Sequence, residues 1–451
     1  MQLKQPKSIR QQLTIATSSL LVAAPLQSLA ANSSDNSDFE NILLESSQLY
    51  YAEQERVNVF KSQVLVTGSI TDESILTANF VFDTMSGSSP NGRIYSGNVT
   101  TSGGNSNTVA VTTASGFSFN ANSNQAGADK SWLTAFDDIR TAYGLEWETE
   151  LTQFTKAVLT GNVSIENDYD SYGTSGTFLW DFNQRRSTLS MAVGFSDDTI
   201  RPDAGIPEGL EEVWCGSTAI ALDWLSSCEA TSPFFYPDPA DKKVVDYLVG
   251  LTQVWNRSTI FQANYSMGVE SGYLTDPYKQ VSVVDPSQGN KEIAILYEKR
   301  PESRITQSIF FKAMNVVSDS VAAHMSYRFF WDDWDVNAHT VDGKIRFDVS
   351  SRSYFQPHVR VSFQSAAFFS QAYIESDTKT DNPFADKPDY ISADHRLSEQ
   401  GTITAGIKYG RTLGKDGKFG IRVEQMHQKY KANLLPDMKV WIVQALLSVR
   451  F

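Results

Sequence analysis

The sequence predicts an all-β fold, a transmembrane up-and-down antiparallel β-barrel with long extracellular loops and short periplasmic turns. Three observations predict it: an export signal, repeated segments in which apolar and polar residues alternate, and connections that alternate between short and long. Beyond the N-terminal region, no stretch approaches the roughly 20 apolar residues that a membrane-spanning helix requires. The segments count to 16 strands, and 14 or 18 are the alternatives.

Composition excludes several classes of protein. The chain has 451 residues, 41% hydrophobic and 20% charged, with two cysteines, which fits neither a disulfide-rich scaffold nor a disordered chain. The formal net charge of -14 argues against a nucleic-acid partner, because phosphate contacts require a basic surface. No motif predicts a cofactor.

The first 31 residues are predicted to be a signal peptide. Three basic residues precede a largely apolar stretch at 13–26, and small residues follow it. Cleavage is expected after Ala30 or Ala31. This divides the mature chain into a periplasmic N-terminal stretch at 32–43 and a barrel at 44–451.

Export also bears on the two cysteines, because it takes the chain to an oxidising compartment. Cys215 and Cys228 have a spacing that closes a loop, so one disulfide is expected between them. A metal pair or a redox pair is the weaker interpretation, because no other Cys or His lies near and the spacing is not C-x-x-C. The disulfide would staple a long connection and favour a packed lid or plug there.

The final segment shows the two-residue period that a strand between lipid and lumen requires. One face carries only apolar residues: Trp441, Val443, Ala445, Leu447, Val449 and Phe451. Chains that end in such a strand with a terminal aromatic residue look like bacterial outer-membrane barrels. In those proteins the strand is the assembly signal, so the similarity implies that Phe451 is recognised by the barrel-assembly machinery.

The connections orient the chain. Short turns alternate with long connections, which are predicted at 86–137, 197–242, 271–303 and 370–398. Outer-membrane barrels keep short turns in the periplasm and long loops outside. Both termini are therefore expected in the periplasm, and the barrel is expected in the outer membrane, in contact with lipid and lipopolysaccharide.

The polar faces of the strands are predicted to line the lumen. In the first half of the chain they are mainly acidic: Glu146, Glu148, Glu150, Glu166, Asp181, Asp246 and Glu270. In the second half they are mainly basic: Arg304, Lys312, His324, Arg328, Lys344, Arg346, Arg360, Lys408, Arg422 and Arg450. Consecutive strands are neighbours in an up-and-down barrel, so an acidic wall would face a basic wall.

These walls favour a porin-like channel for small polar or charged solutes, because a barrel of 16 strands is wide enough for an aqueous channel. The alternative is a sealed barrel, filled by paired charges, that serves as scaffold or receptor for a periplasmic or surface partner. An enzyme is not predicted, because the catalytic signatures of hydrolases are missing.

One acidic cluster, at Asp332, Asp333 and Asp335 with His339, is a candidate site for a divalent cation. It lacks the spaced ligands of a dedicated cage, so a hydrated rim is favoured. Trp331 and Trp334 would then belong to the interfacial aromatic girdle.

Several motifs follow one another along nearly the whole mature chain: residues 83–92, 181–183, 272–279, 327–334, 339–340, 357–360 and 364–367. They resemble a family of porin-like outer-membrane barrels of Gram-negative bacteria that is known only as a domain of unknown function. Ser88 stands where that family usually has Ala. The resemblance implies a barrel but supplies no activity and no catalytic residues. Members are encoded near flavin-transferase-like and thioredoxin-like proteins, which implies redox-related surroundings.

Overall fold

The computed structural model describes residues 42–94, 110–112, 118–120, 132–203, 205–213, 235–236, 238–376, 387–431 and 435–451. The predicted signal peptide with Ala30 and Ala31, and the predicted disulfide between Cys215 and Cys228, lie outside these residues. In the described part of the chain, no helix is long and apolar enough to cross a membrane.

Sixteen antiparallel strands close into one barrel, which confirms the predicted fold and strand number. The first strand, β1 (Leu43–Glu53), pairs with both β2 (Val57–Thr71) and the last strand, β23 (Met438–Arg450), and thereby closes the ring. The other barrel strands follow in chain order: β3 (Ser74–Pro90), β6 (Leu133–Thr152), β7 (Thr155–Ile165), β8 (Tyr169–Phe182), β9 (Ser187–Ile200), β12 (Ala240–Val254), β13 (Thr259–Gly272), β16 (Ser303–Ser318), β17 (Val321–Asp332), β18 (Asn337–Asp348), β19 (Ser353–Gln364), β21 (Gln400–Leu413) and β22 (Gly417–Tyr430).

The two faces of each barrel strand differ as the alternation predicts. On β6, Tyr143, Leu145 and Trp147 are exposed, whereas Glu148 on the other face is buried. Comparable exposed apolar rows run along the other strands, so the outer face of the barrel is an apolar belt. The polar side chains lie on the inner face.

The barrel strands run further than the sequence pattern predicted, which shortens the long connections. The predicted loop at 86–137 is reduced to 91–132, because its first residues continue β3 and its last residues belong to β6. The other three long connections are 201–239, 273–302 and 365–399. All four leave the same end of the barrel. They contain the remaining short strands: β4 (Ala110–Thr112), β5 (Ser118–Asn120), β10 (Ile206–Pro207), β11 (Phe235–Tyr236), β14 (Gln280–Asp285), β15 (Lys291–Tyr297) and β20 (Tyr373–Glu375).

Parts of these connections form a packed cap, defined here as residues 205–213, 273–302, 365–376 and 387–399. Its centre is a three-stranded sheet in the order β15, β14, β20. Val281, Val283 and Ile391 in the cap are fully buried. The Leu210 amide donates to the Tyr297 carbonyl at 3.0 Å and joins the segment 205–213 to the sheet. The cap is therefore a small folded unit with its own apolar core.

The cap reaches opposite sides of the barrel mouth. On one side, Lys279 Nζ donates to the carbonyl of Pro90 at the end of β3. On the other side, Phe369 packs against Trp334, which follows β17, with the ring centroids 5.0 Å apart. β3 is the third and β17 the eleventh strand in the ring of sixteen. These strands face each other, so the cap spans the mouth.

Candidate functional site: an arginine-lined pocket beneath the cap

The acidic wall lies on the inner face but is partly neutralised. The strand register places Glu146, Glu148, Glu150, Asp181, Asp246 and Glu270 on that face, and Glu166 lies in the turn after β7. Lys156 Nζ lies 2.6 Å from Glu148 Oε1 and 3.3 Å from Glu150 Oε1. Arg140 Nε donates to Asp83 Oδ2 at 2.7 Å, and Lys242 Nζ lies 3.4 Å from Glu270 Oε2. The prediction missed these cations, and they reduce the field across the lumen.

At the loop end of this wall, the structure brings together a cluster that the sequence did not suggest. Carboxylate oxygens of Asp138, Glu166 and Asp168 lie within 4.8 Å of one another. Tyr278 Oη in the cap donates to Asp168 Oδ2 at 2.6 Å. The cluster therefore gives the cap a third point of attachment to the rim.

The basic wall carries the predicted residues on its inner face: Arg304, Lys312, His324, Arg328, Lys344, Arg346, Arg360, Lys408, Arg422 and Arg450. Within it, His358 Nε2 lies 2.6 Å from Asp342 Oδ2 and its Nδ1 lies 2.5 Å from Glu424 Oε1. Gly406 on the intervening strand leaves room for this contact, because a Cβ there would meet Glu424 Cγ at 2.4 Å. The imidazole of His358 thus links the carboxylates of Asp342 and Glu424 across the wall.

A network of buried charges holds the inner side of the cap. Asp394, at 1% exposure, lies 2.8 Å from Arg300 and accepts hydrogen bonds from the Nε of Arg396 at 2.8 and 3.0 Å. Arg300 also lies 2.7 Å from Glu298, and Arg396 lies 2.5 Å from Asp276. Burial alone would raise the pKa of the Asp394 carboxyl, but the neighbouring guanidinium groups hold it well below its usual range. Asp394 is therefore charged and fixes both arginines.

A pocket of about 440 Å³ lies between this network and the barrel wall. The cap contributes Arg300, Asp394, Arg396 and Leu397. The wall of β16 to β19 and the turn after β17 contribute the rest of the lining: Arg304, Arg328, Phe330, Val336, Ala338, Thr340 and Gln364. Four guanidinium groups thus line one cavity. Parity predicted Arg304 and Arg328 on the inner face, but the two arginines of the cap lay outside any strand pattern.

The structure gives the carboxylates after β17 a role other than metal binding. Asp332 Oδ1 accepts hydrogen bonds from the amides of Trp334 and Val336 at 3.0 and 2.8 Å, and Asp332 Oδ2 from Arg304 Nε at 2.9 Å. Asp333 accepts from the Ile305 amide at 2.9 Å. These contacts shape the turn and hold Arg304 in the pocket wall.

The prediction that Trp334 belongs to the outer aromatic girdle is wrong. Trp334 is 3% exposed and packs with Phe369 inside the cap, whereas Trp331 lies on the outer face near Tyr265. The guanidinium carbon of Arg304 lies 4.5 Å from the centroid of the Trp334 ring. Because the turn folds inward, Trp334 joins cap and wall.

The closed barrel with an apolar outer face, a polar inner face and a capped mouth is the architecture of a transmembrane β-barrel. The sequence profile of a family described as protein of unknown function (DUF3570) matches residues 10–447. The chain belongs to this family. None of the curated proteins matches it.

Several solved structures are similar to the chain. OpdK of Pseudomonas aeruginosa with vanillate is 9% identical, with 91% of this chain and 98% of that chain covered and a TM-score of 0.40. A bacterial polysaccharide outer membrane secretin is 8% identical, with 92% and 100% covered and a TM-score of 0.45. A mutant of the ferric enterobactin receptor PfeA of Pseudomonas aeruginosa is 9% identical, with 86% and 54% covered and a TM-score of 0.41. This chain therefore spans about half the length of that receptor.

Proposed function

We propose that this protein is an outer-membrane channel for small charged solutes, with its cap facing the outside and its short turns facing the periplasm. Its barrel strands of 11 to 20 residues reach or exceed the roughly 9–11 residues that a tilted strand needs to cross a bilayer. The apolar belt suits lipid contact. The cap lies across the mouth, so a solute enters past the arginine pocket.

The observation that carries the proposal is a set of unpaired cations on one wall. Within the described residues, no carboxylate oxygen lies within 4 Å of the charged nitrogens of Arg328, Lys312 or Lys408, whereas other cations of this wall are paired. Arg328 lies nearer the cap, and the two lysines lie nearer the short turns. Such a series attracts anions along the lumen.

Conductance in a planar bilayer tests the proposal. The mature protein is expected to give ohmic steps, with a reversal potential in a KCl gradient that shows preference for chloride. A variant in which a short Gly/Ser linker replaces residues 275–297 removes β14 and β15, two of the three strands of the cap sheet, and is expected to conduct more. Heat-modifiable migration on gels shows that each barrel is folded. If both folded, inserted barrels stay silent, the channel proposal is refuted.

The cap itself favours a second candidate, a receptor or scaffold with a closed mouth. A packed cap with its own core offers a fixed surface to a partner at the cell surface, while a periplasmic partner would bind at the short turns. This candidate predicts a partner that co-purifies at stoichiometric level in mild detergent, together with a barrel that stays silent until the cap is removed.

A further inference from the structure

The pocket beneath the cap combines positive charge with an apolar surface. Its volume of about 440 Å³ falls in the range of small-molecule sites. It lies where the inner wall meets the cap, so a molecule in it touches both. Of its four arginines, three are fixed by carboxylates and one is not.

Arg328 is the arginine without a carboxylate partner among the described residues. Its neighbours across the strands on the inner face are Phe310 and Thr340, neither of which is acidic. Its guanidinium carbon lies 5.7 Å from the centroid of the Phe330 ring, which steadies the side chain and leaves its donors free. A guanidinium group presents donors in a planar fork that matches a carboxylate. The missing counter-charge is thus one that a ligand supplies.

The three other arginines are held in advance. Arg304 is fixed by Asp332, while Arg300 and Arg396 share Asp394. Their positions need no ordering when a ligand arrives, which lowers the entropic cost of binding. Their charges are balanced by the carboxylates that hold them, so Arg328 is the arginine of the pocket whose charge a ligand can balance.

The apolar part of the lining restricts the kind of anion. Phe330, Val336, Ala338 and Leu397 supply hydrocarbon surface beside the guanidinium groups. An inorganic anion leaves that surface uncovered, whereas a carboxylate with an apolar body covers it. The hydroxyl of Thr340 adds a polar group beside Arg328.

We infer that this pocket binds a small organic carboxylate, with the carboxylate against Arg328 and the apolar body against Phe330 and Leu397. This inference deepens the proposed channel function. It rests on that function only where it takes the bound carboxylate to be a solute that then passes through the barrel. The pocket then selects the solute before it reaches Lys312 and Lys408, which lie nearer the short turns.

Calorimetric titration of the mature protein in a non-ionic detergent at low ionic strength tests the inference. Three probes separate the ligand chemistries: benzoate, its neutral analogue benzamide, and inorganic phosphate. Benzoate is expected to bind at one site, with benzamide and phosphate at least about tenfold weaker. Equal binding of benzamide, equal or tighter binding of phosphate, or no binding of benzoate overturns the inference.

Variants locate the site. Arg328→Gln is expected to weaken benzoate about 10- to 100-fold, because a charge-assisted hydrogen-bond pair is lost. Arg328→Lys keeps the charge but not the planar fork of donors, so its affinity for benzoate is expected to lie between those of the unaltered protein and Arg328→Gln. Arg352→Gln removes the same charge from an exposed residue at the short-turn end and is expected to leave benzoate binding unchanged. Unchanged binding in a folded Arg328→Gln barrel overturns the assignment.

Conductance of the same preparations keeps the two proposals apart. A barrel that conducts but does not bind benzoate overturns the pocket inference and leaves the channel in place. A barrel that binds benzoate through Arg328 but never conducts, with or without the cap, overturns the channel and leaves the site as that of a receptor. If a variant does not fold, the comparison of benzoate with benzamide on the unaltered protein still decides.

Discussion

Replacing Asp394 by Asn is expected to loosen the cap while the barrel stays intact. The substitution keeps the shape of the side chain and an acceptor for the Arg396 amide, 3.0 Å away, but removes the charge that Arg300 and Arg396 share. Breaking a buried ion pair costs about 3–5 kcal/mol. Arg300 keeps its ion pair with Glu298 and Arg396 keeps its ion pair with Asp276, so the expected loss of cap stability is smaller, about 2–3 kcal/mol. This loss corresponds to about a 30- to 150-fold change in the equilibrium for opening the cap.

Native-state hydrogen exchange measures this opening. Amides of β14 and β15 in Asp394→Asn are expected to exchange faster by the factor given above, while amides of β12 and β13 serve as the internal reference. The matched control is Asp348→Asn, whose carboxylate pairs with Arg346 at 2.7 Å at an exposed position near the short turns. Exposed pairs contribute little, so the control is expected to leave the cap unchanged. Wild-type protection of β14 and β15 in Asp394→Asn would refute the role given to the charge network.

Two further predictions concern acid and backbone geometry. Burial lowers the pKa of His395 to about 4, so its neutral form stabilises the cap. This stability is complete above the unfolded pKa of 6.5 and is lost as pH falls towards 4, by up to roughly 3 kcal/mol. Hydrogen exchange of the cap at pH 7 and pH 5 measures the loss, and His395→Gln is expected to abolish this pH dependence. The groups that face His395 are Asp394, Lys279, Arg396, Arg56 and Tyr430. Gly87 has φ +130°, and a Cβ there would meet the Arg56 carbonyl oxygen at 2.1 Å. Gly87→Ala is therefore expected to lower the urea midpoint of unfolding by the equivalent of about 1–3 kcal/mol. At Gly343 a Cβ meets nothing within 4 Å, so Gly343→Ala is expected to change the midpoint little, and equal midpoints for the two variants would contradict the prediction.

The barrel could be predicted from sequence because lipid and lumen impose a period of two on every strand. Exposed Tyr143 and Leu145 on one face, with Glu146 on the other, follow that rule, and so do the basic residues of the second half. The rule fails at strand ends. Arg140 borders a segment predicted as loop, and its pairing with Asp83 was therefore missed.

The cap could not be predicted, because its contacts join connections far apart in sequence. β14 pairs in parallel with β20, and Lys279 reaches Pro90. No local period encodes such pairs. One signal was available: the motifs at 83–92 and 272–279 both resemble the family, and the structure shows that they meet, with the Gln280 amide donating to the Asn91 carbonyl at 2.7 Å beside them.

Because the cap is formed by separate connections, it folds after the barrel strands that carry them. β20 has three residues, and its partner β14 lies about 90 residues earlier, so neither sheet strand is stable alone. Only when β13, β16, β19 and β21 have taken their places are these segments close enough to pair. A protease-resistant cap is therefore a marker of chains in which the strands from β13 to β21 have taken their places, and it distinguishes them from chains in which that part of the barrel is still open.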